Sequence, residues 1–158
     1  MTDAALECLK QDDLRMFYKG ACHVFAVALR RYRSLEQYEL RRVLCRGLGA
    51  YHVYARTGEW LVDVGGLKRE ADYFYWLQRR ANEHEWTSAI RSEAVSETEL
   101  LRQARIDETR GTVNEWGLFT DPDFVSEAMA RAQKLVEESD RYSAILMRYS
   151  QQRRSILQ

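Results

Sequence analysis

Apolar positions recur every three or four residues from Ala21 to about Tyr32, where Phe25, Ala28, Leu29 and Tyr32 share one face, and this spacing predicts a helix. Cys22 falls one turn before Phe25 and Ala26, near the helix start and toward its interior side. Upstream, Asp3 to Leu9 reads as a short helix. The polar break Gln11-Asp12-Asp13 caps a further turn through Tyr18, and Lys19-Gly20 interrupts it. Tyr38 to Cys45 carries no helical period and is closed by Gly47 and Gly49, so a strand is expected there.

Alternation is clearest in Ala50 to Arg56 and Glu59 to Gly65, with Thr57-Gly58 as a two-residue turn between two strands. That turn pairs Arg56 with Glu59, Ala55 with Trp60, Tyr54 with Leu61, Val53 with Val62 and His52 with Asp63. One face then carries Tyr51, Val53, Ala55, Trp60, Val62 and Val64, all apolar, and the other His52, Tyr54, Arg56, Glu59, Leu61 and Asp63. A three-residue loop with a glycine bulge would shift the pairing by one.

Gly65-Gly66 ends the hairpin, and Leu67 to about Asn82 reads as a helix with an aromatic stripe of Tyr73, Phe74 and Trp76 beside Leu77. A strand is expected over Trp86 to Ser92. The capping box Ser96-Glu97-Thr98-Glu99 opens a helix to about Ile106, and a loop follows from Thr109 to Thr120. Asp121-Pro122-Asp123 is a cap with proline at the first helical position. Beyond it Val125, Ala128, Ala132, Leu135, Ser139, Tyr142, Leu146 and Tyr149 form a heptad seam. Unbroken, that helix would run about 55 Å, so it either breaks near Glu138-Ser139-Asp140 or projects toward a partner. The chain therefore divides into an α+β domain over residues 1–110, a small antiparallel sheet packed on the cysteine-bearing helix, and a C-terminal helical extension over 111–158.

The length, 158 residues, suits one core of ordinary size. Charges balance at 24 basic and 24 acidic residues, which removes a whole-molecule case for nucleic acid. The stretch with Arg30, Arg31, Arg33, Arg41, Arg42 and Arg46 is read as a solvated face, so a nucleic-acid partner is not expected. No run is long enough to span a membrane. Cys8, Cys22 and Cys45 fit neither a disulfide framework nor a paired-thiolate zinc site, which points to free thiols and a cytoplasmic setting.

Chemistry concentrates on the order Cys22, His52, Asp63. A helix start and a nearby imidazole both stabilise a thiolate, and a carboxylate on the far ring nitrogen fixes the tautomer of a histidine base. This is the outline of a nucleophile, a general base and its orienting acid. The backbone N–H of Cys22 is the natural oxyanion donor, Tyr18 or Lys19 could supply a second, and His23 and Trp60 are further substrate-binding candidates. A metal held by Cys22, His23, His52 and Asp63 is the competing reading. Adjacent helical residues point roughly 100° apart and make poor joint ligands, so neither metal nor cofactor is expected. Cys8 and Cys45 are read as structural and His84 as solvated.

The segments Gly20-Ala21-Cys22-His23-Val24-Phe25-Ala26, Tyr51-His52-Val53-Tyr54 and Leu61-Val62-Asp63-Val64-Gly65 together resemble the papain-like and transglutaminase-like thiol-enzyme superfamily over roughly residues 15 to 105. The short interval from His52 to Asp63 is closer to the transglutaminase-like branch. The resemblance implies an α+β fold and acyl-transfer chemistry on amide, ester or isopeptide bonds, with a protein or peptide substrate. Against it stands a non-catalytic interaction module, in which the seam over 121–158 presents Tyr142 and Tyr149 to a protein partner or a second copy.

Overall fold

A computed structural model describes residues 1–32, 38–45, 49–83, 90–102, 105–107, 111–114, 118–140 and 142. The fold is α+β: helices surround a five-stranded antiparallel sheet. Two short helices begin the chain. α1 (Asp3–Leu9) is capped by Thr2, and α2 (Asp13–Lys19) by Asp12, whose carboxylate accepts the Arg15 N–H at 3.0 Å. Gly20 ends α2, and packing leaves no room for more, since a Cβ there would meet Cys8 Sγ at 2.8 Å.

α3 (Cys22–Tyr32) is buried from Cys22 through Leu29, so it is covered on every side and is the central helix, with His23 as the polar side chain in that run. The sheet beneath it consists of β1 (Glu39–Cys45), β2 (Gly49–Thr57), β3 (Trp60–Asp63) and β4 (Gly66–Arg69), with β5 (Ile90–Ala94) after α4 (Glu70–Glu83). The strand order is β4-β3-β2-β1-β5. Val53, Ala55, Val62 and Val64 lie in the core with α3, whereas Tyr54 and Leu61 pack on Tyr73 and Leu77 of α4. The two faces separate as the alternation predicts.

The hairpin register differs from expectation. Thr57 pairs with Trp60, Arg56 with Leu61 and Ala55 with Val62, so the turn is Gly58-Glu59 rather than Thr57-Gly58. Gly58, at φ 56°, takes the first central position, where a primed turn needs positive φ. Moving the turn by one residue shifts the register by two. An even shift keeps every side chain on its face, which is why the apolar and polar sets survive the error.

Residues 67–69 are a second correction. They form β4, paired on β3 from Trp60–Arg69 to Asp63–Gly66, and the helix begins only at Glu70. α5 (Glu97–Leu101) starts at the expected Ser96 cap but ends well before Ile106. β6 (Arg105–Asp107) and β7 (Gly111–Val113) make a hairpin that extends into the region read as loop.

α6 (Pro122–Glu138) starts on the Asp121 cap with proline in the first turn. It lies on α3, and its Phe124, Ala128, Ala132 and Val136 belong to the main core. The helix stops at Ser139, whose backbone is extended. Tyr142 is 1% exposed and donates to the Val64 carbonyl at 2.7 Å, so it is interior rather than offered to a partner. Tyr149 lies outside the described residues, as do Arg33, Arg46, His84, Trp86 and Trp116. Arg131 ties α6 to the α1–α2 connection through Asp13 Oδ1 and the carbonyls of Leu9 and Gln11. Arg42 bonds Glu93 and Glu99, while Arg41 bonds Glu39 and Ser92, so these two arginines are held by neighbours in the fold. Among the described residues no helix is long and apolar enough to cross a membrane.

Candidate active site

Cys22 is the first residue of α3. At that position the backbone N–H has no intrahelical acceptor, and it points out of the positive end of the helix. His52 comes from β2, its ring centre 5.9 Å from that of Tyr73 on α4, and Asp63 from the last position of β3. They are not directly opposite, because the observed register carries Asp63 toward Tyr54. The diagonal offset still lets the side chains meet. His52 Nε2 lies 3.0 Å from Asp63 Oδ2, and both residues are buried.

The carboxylate is held on every side. Asp63 Oδ1 accepts the Gly65 N–H at 2.8 Å, closing an Asx turn across the β3–β4 hairpin, and Oδ2 also accepts from Lys68 Nζ at 3.0 Å. Burial pushes the Asp63 carboxyl up, but the His52 hydrogen bond and charge, then Lys68, outweigh it and hold it below the usual value. Lys68 also sits 5.7 Å from the centre of the Tyr73 ring.

With Nε2 occupied by Asp63, the imidazole has Nδ1 for the thiol. Burial pushes Cys22 up, yet the two imidazoles beside it, His23 and His52, bring it down to about 6. For His52, burial lowers the pKa, but hydrogen bonds with Asp63 and Cys22 raise it to about 9. Between those values the pair is a thiolate beside an imidazolium.

The two histidines are not equivalent partners. His23 is fully buried, its Nε2 lies 2.6 Å from the Phe119 carbonyl, and its Nδ1 meets no partner at hydrogen-bond geometry. A ring that donates Nε2–H to a carbonyl presents a lone pair at Nδ1, which cannot donate to a thiolate. His52, compensated by Asp63, can carry the proton, so it is the ring that matters for Cys22.

The other candidates divide. Tyr18 reaches the site: with His52, Asp63 and Lys68 it lines a cavity of about 680 Å³. Its hydroxyl rests against Gly65, where a Cβ would come within 1.9 Å of it, and therefore lies on the Asp63 side of the imidazole. Trp60 does not line the cavity; it is covered by the Arg69 guanidinium at 5.5 Å. Lys19 ends α2, and its side chain lies outside the described residues. Cys22 is only 6% exposed and does not line the cavity itself; it interacts with His52, which does. Burial raises the Cys8 and Cys45 thiols, which keeps them protonated at neutral pH. Among the described residues no group of three or more His, Cys, Asp or Glu is placed to hold a metal ion.

Lys68 and Asp72 are the site residues that periodicity does not reveal. A lysine after a Gly-Gly turn carries no signature of the carboxylate it will meet, although an alternating reading of Gly66 to Arg69 would have set Lys68 on the face of Leu61 and Asp63. No protein-family model, curated protein or solved structure matches the chain.

Proposed function

We propose that this protein is a cysteine-dependent hydrolase or acyl transferase acting on an amide or ester bond, with a peptide or protein as substrate. The observation that carries the reading is the imidazole of His52, held by Asp63 at 3.0 Å through Nε2 and set against a thiol at a helix start. Cys22 Sγ attacks the carbonyl carbon as thiolate, and the oxyanion that forms is met by the Cys22 backbone N–H. His52 gives its Nδ1 proton to the departing amine or alkoxide as the tetrahedral carbon collapses to a thioester. Water or an amine then attacks the thioester and loses its proton to His52, and the thiolate leaves. Asp63 keeps the ring in one orientation throughout and offsets its charge. Water as acceptor gives hydrolysis, which on a side-chain amide is deamidation with loss of ammonia, and an amine acceptor gives transamidation. This agrees with the chemistry expected of a papain-like or transglutaminase-like enzyme.

Iodoacetamide at neutral pH, followed by peptide mapping, tests the proposal. Cys22 should be carboxamidomethylated well before Cys8 and Cys45. Labelling of Cys8 or Cys45 with Cys22 inert would overturn it and leave a non-catalytic scaffold.

A further inference from the structure

The cavity beside the triad is lined by His52, Asp63 and Lys68 and by the rings of Tyr18, Tyr73 and Trp76, and its 680 Å³ lies in the range of small-ligand pockets. Tyr18 is 48% exposed and Trp76 46% exposed, so two of the rings lining the cavity are open to solvent. Most charges at the site satisfy one another, since Asp63 is bonded to both His52 and Lys68. Asp72 differs. It lies in the first turn of α4, lines the cavity and is exposed, and no hydrogen bond or ion pair engages it among the described residues. Of the charged groups lining the cavity, Asp63 and Asp72 balance His52 and Lys68 in number, and Asp72 is the carboxylate that the fold leaves without a counter-ion among the described residues. The rings already accept cations, with Lys68 over Tyr73 at 5.7 Å and Arg80 over Trp76 at 5.3 Å.

Resting on the cysteine-enzyme reading above, we propose that this cavity is a subsite for a long cationic side chain, a lysine or arginine of the substrate. Its apolar stem lies against Tyr73 and Trp76, and its head meets the Asp72 carboxylate. Such a side chain buries methylenes on aromatic surface while its charge stays at the rim, which matches rings below a free acid. An anionic group would leave the Asp72 carboxylate without a counter-ion. A purely aromatic one would cover Asp72 without giving it a partner.

Three methanethiosulfonate reagents test this: aminoethyl (cationic), sulfonatoethyl (anionic) and benzyl (neutral). In each the Cys22 thiolate attacks the sulfenyl sulfur, a mixed disulfide forms and methanesulfinate leaves. Rates of Cys22 modification, read by peptide mapping and divided by rates with free cysteine, should favour aminoethyl over sulfonatoethyl in the wild type. Asp72→Asn should cut that preference by about threefold or more and leave the benzyl rate unchanged, with a smaller effect at high salt. A preference unaltered by Asp72→Asn, a faster anionic reagent, or a benzyl reagent faster than both would overturn the subsite. If no reagent reaches Cys22 while Cys8 or Cys45 reacts, the cysteine-enzyme reading itself fails and takes the subsite with it.

Discussion

Replacing His52 by alanine isolates the interaction on which the proposed chemistry depends. Burial drives the Cys22 thiol up, and His23, with Nε2 committed to the Phe119 carbonyl and Nδ1 unpartnered, has no N–H to give the sulfur, so without the His52 imidazole the thiol should titrate at or above its ordinary value of 9.0 rather than at about 6. A displacement of that size corresponds to roughly 4 kcal/mol of preference for the thiolate. At about pH 7 the ionised fraction falls from about 90% to about 1% or less. The rate of alkylation falls much less. A more basic thiolate is a better nucleophile, by roughly 15- to 30-fold over this range, which leaves a net slowing of about three- to sixfold. The informative assay is therefore the thiolate ultraviolet absorbance followed across pH. Wild type should show one thiolate ionising near 6, with Cys8 and Cys45 silent there because burial raises them. His52→Ala should lose that inflection. His23→Gln, which keeps an N–H for the Phe119 carbonyl, should leave it in place within about half a pH unit. An inflection near 6 that survives His52→Ala but vanishes in His23→Gln would refute the assignment of roles.

Asp63→Ala should destabilise the fold by about 3 kcal/mol or more in urea, because it leaves a buried imidazole and Lys68 without their shared oxygen. The His52 pKa, raised from 6.5 to about 9, makes its contribution complete below 6.5 and lost as pH rises through about 9. The Asp63 carboxyl is held below its ordinary 3.8, so its contribution is present above that value and lost as pH falls. The stability gap between wild type and Asp63→Ala should thus be widest between about pH 4 and 6.5 and shrink on either side; a gap that grows toward alkaline pH would contradict this. Gly65→Ala places a Cβ 1.9 Å from the Tyr18 hydroxyl and 2.9 Å from Asp63 Oδ1. It should cost about 1 to 2 kcal/mol, partly restored in a Tyr18→Ala background, and equal costs in both backgrounds would show that Tyr18 does not press there. Arg131→Ala should lower stability by about 2 kcal/mol through the lost bonds to Asp13, Leu9 and Gln11, and a change within about 0.5 kcal/mol would remove Arg131 as the tie between α6 and the first helices.

Much of this architecture is local in origin and was legible for that reason. Ser96 and Asp121 have the caps that their side chains announce, and α3 begins where Gly20-Ala21 allows. The two faces of the β2–β3 hairpin follow from alternation, which is indifferent to an even register shift. What was not legible depended on partners distant in sequence or on one torsion. The turn moved because Gly58 occupies its first central position, and both placements look alike in a string containing one glycine. Leu67, Lys68 and Arg69 join the aromatic stripe of α4 in helical spacing, yet pairing with β3 captures them first. The seam of α6 has coiled-coil spacing and is buried largely against α3. Of the site, the order Cys22, His52, Asp63 could be read from local setting. Lys68 and Asp72 required knowledge of how β4 and α4 lie beside it.

The central claim, that Cys22 carries an acyl group, is tested most directly by intact-mass analysis and peptide mapping during turnover of p-nitrophenyl acetate. The thiolate would displace p-nitrophenolate and become a thioester. An acetyl group on Cys22 that hydroxylamine removes, absent in Cys22→Ser and strongly diminished in His52→Ala, is the result predicted here. Acetylation confined to lysines, or ester turnover equal in wild type and Cys22→Ser, would contradict it.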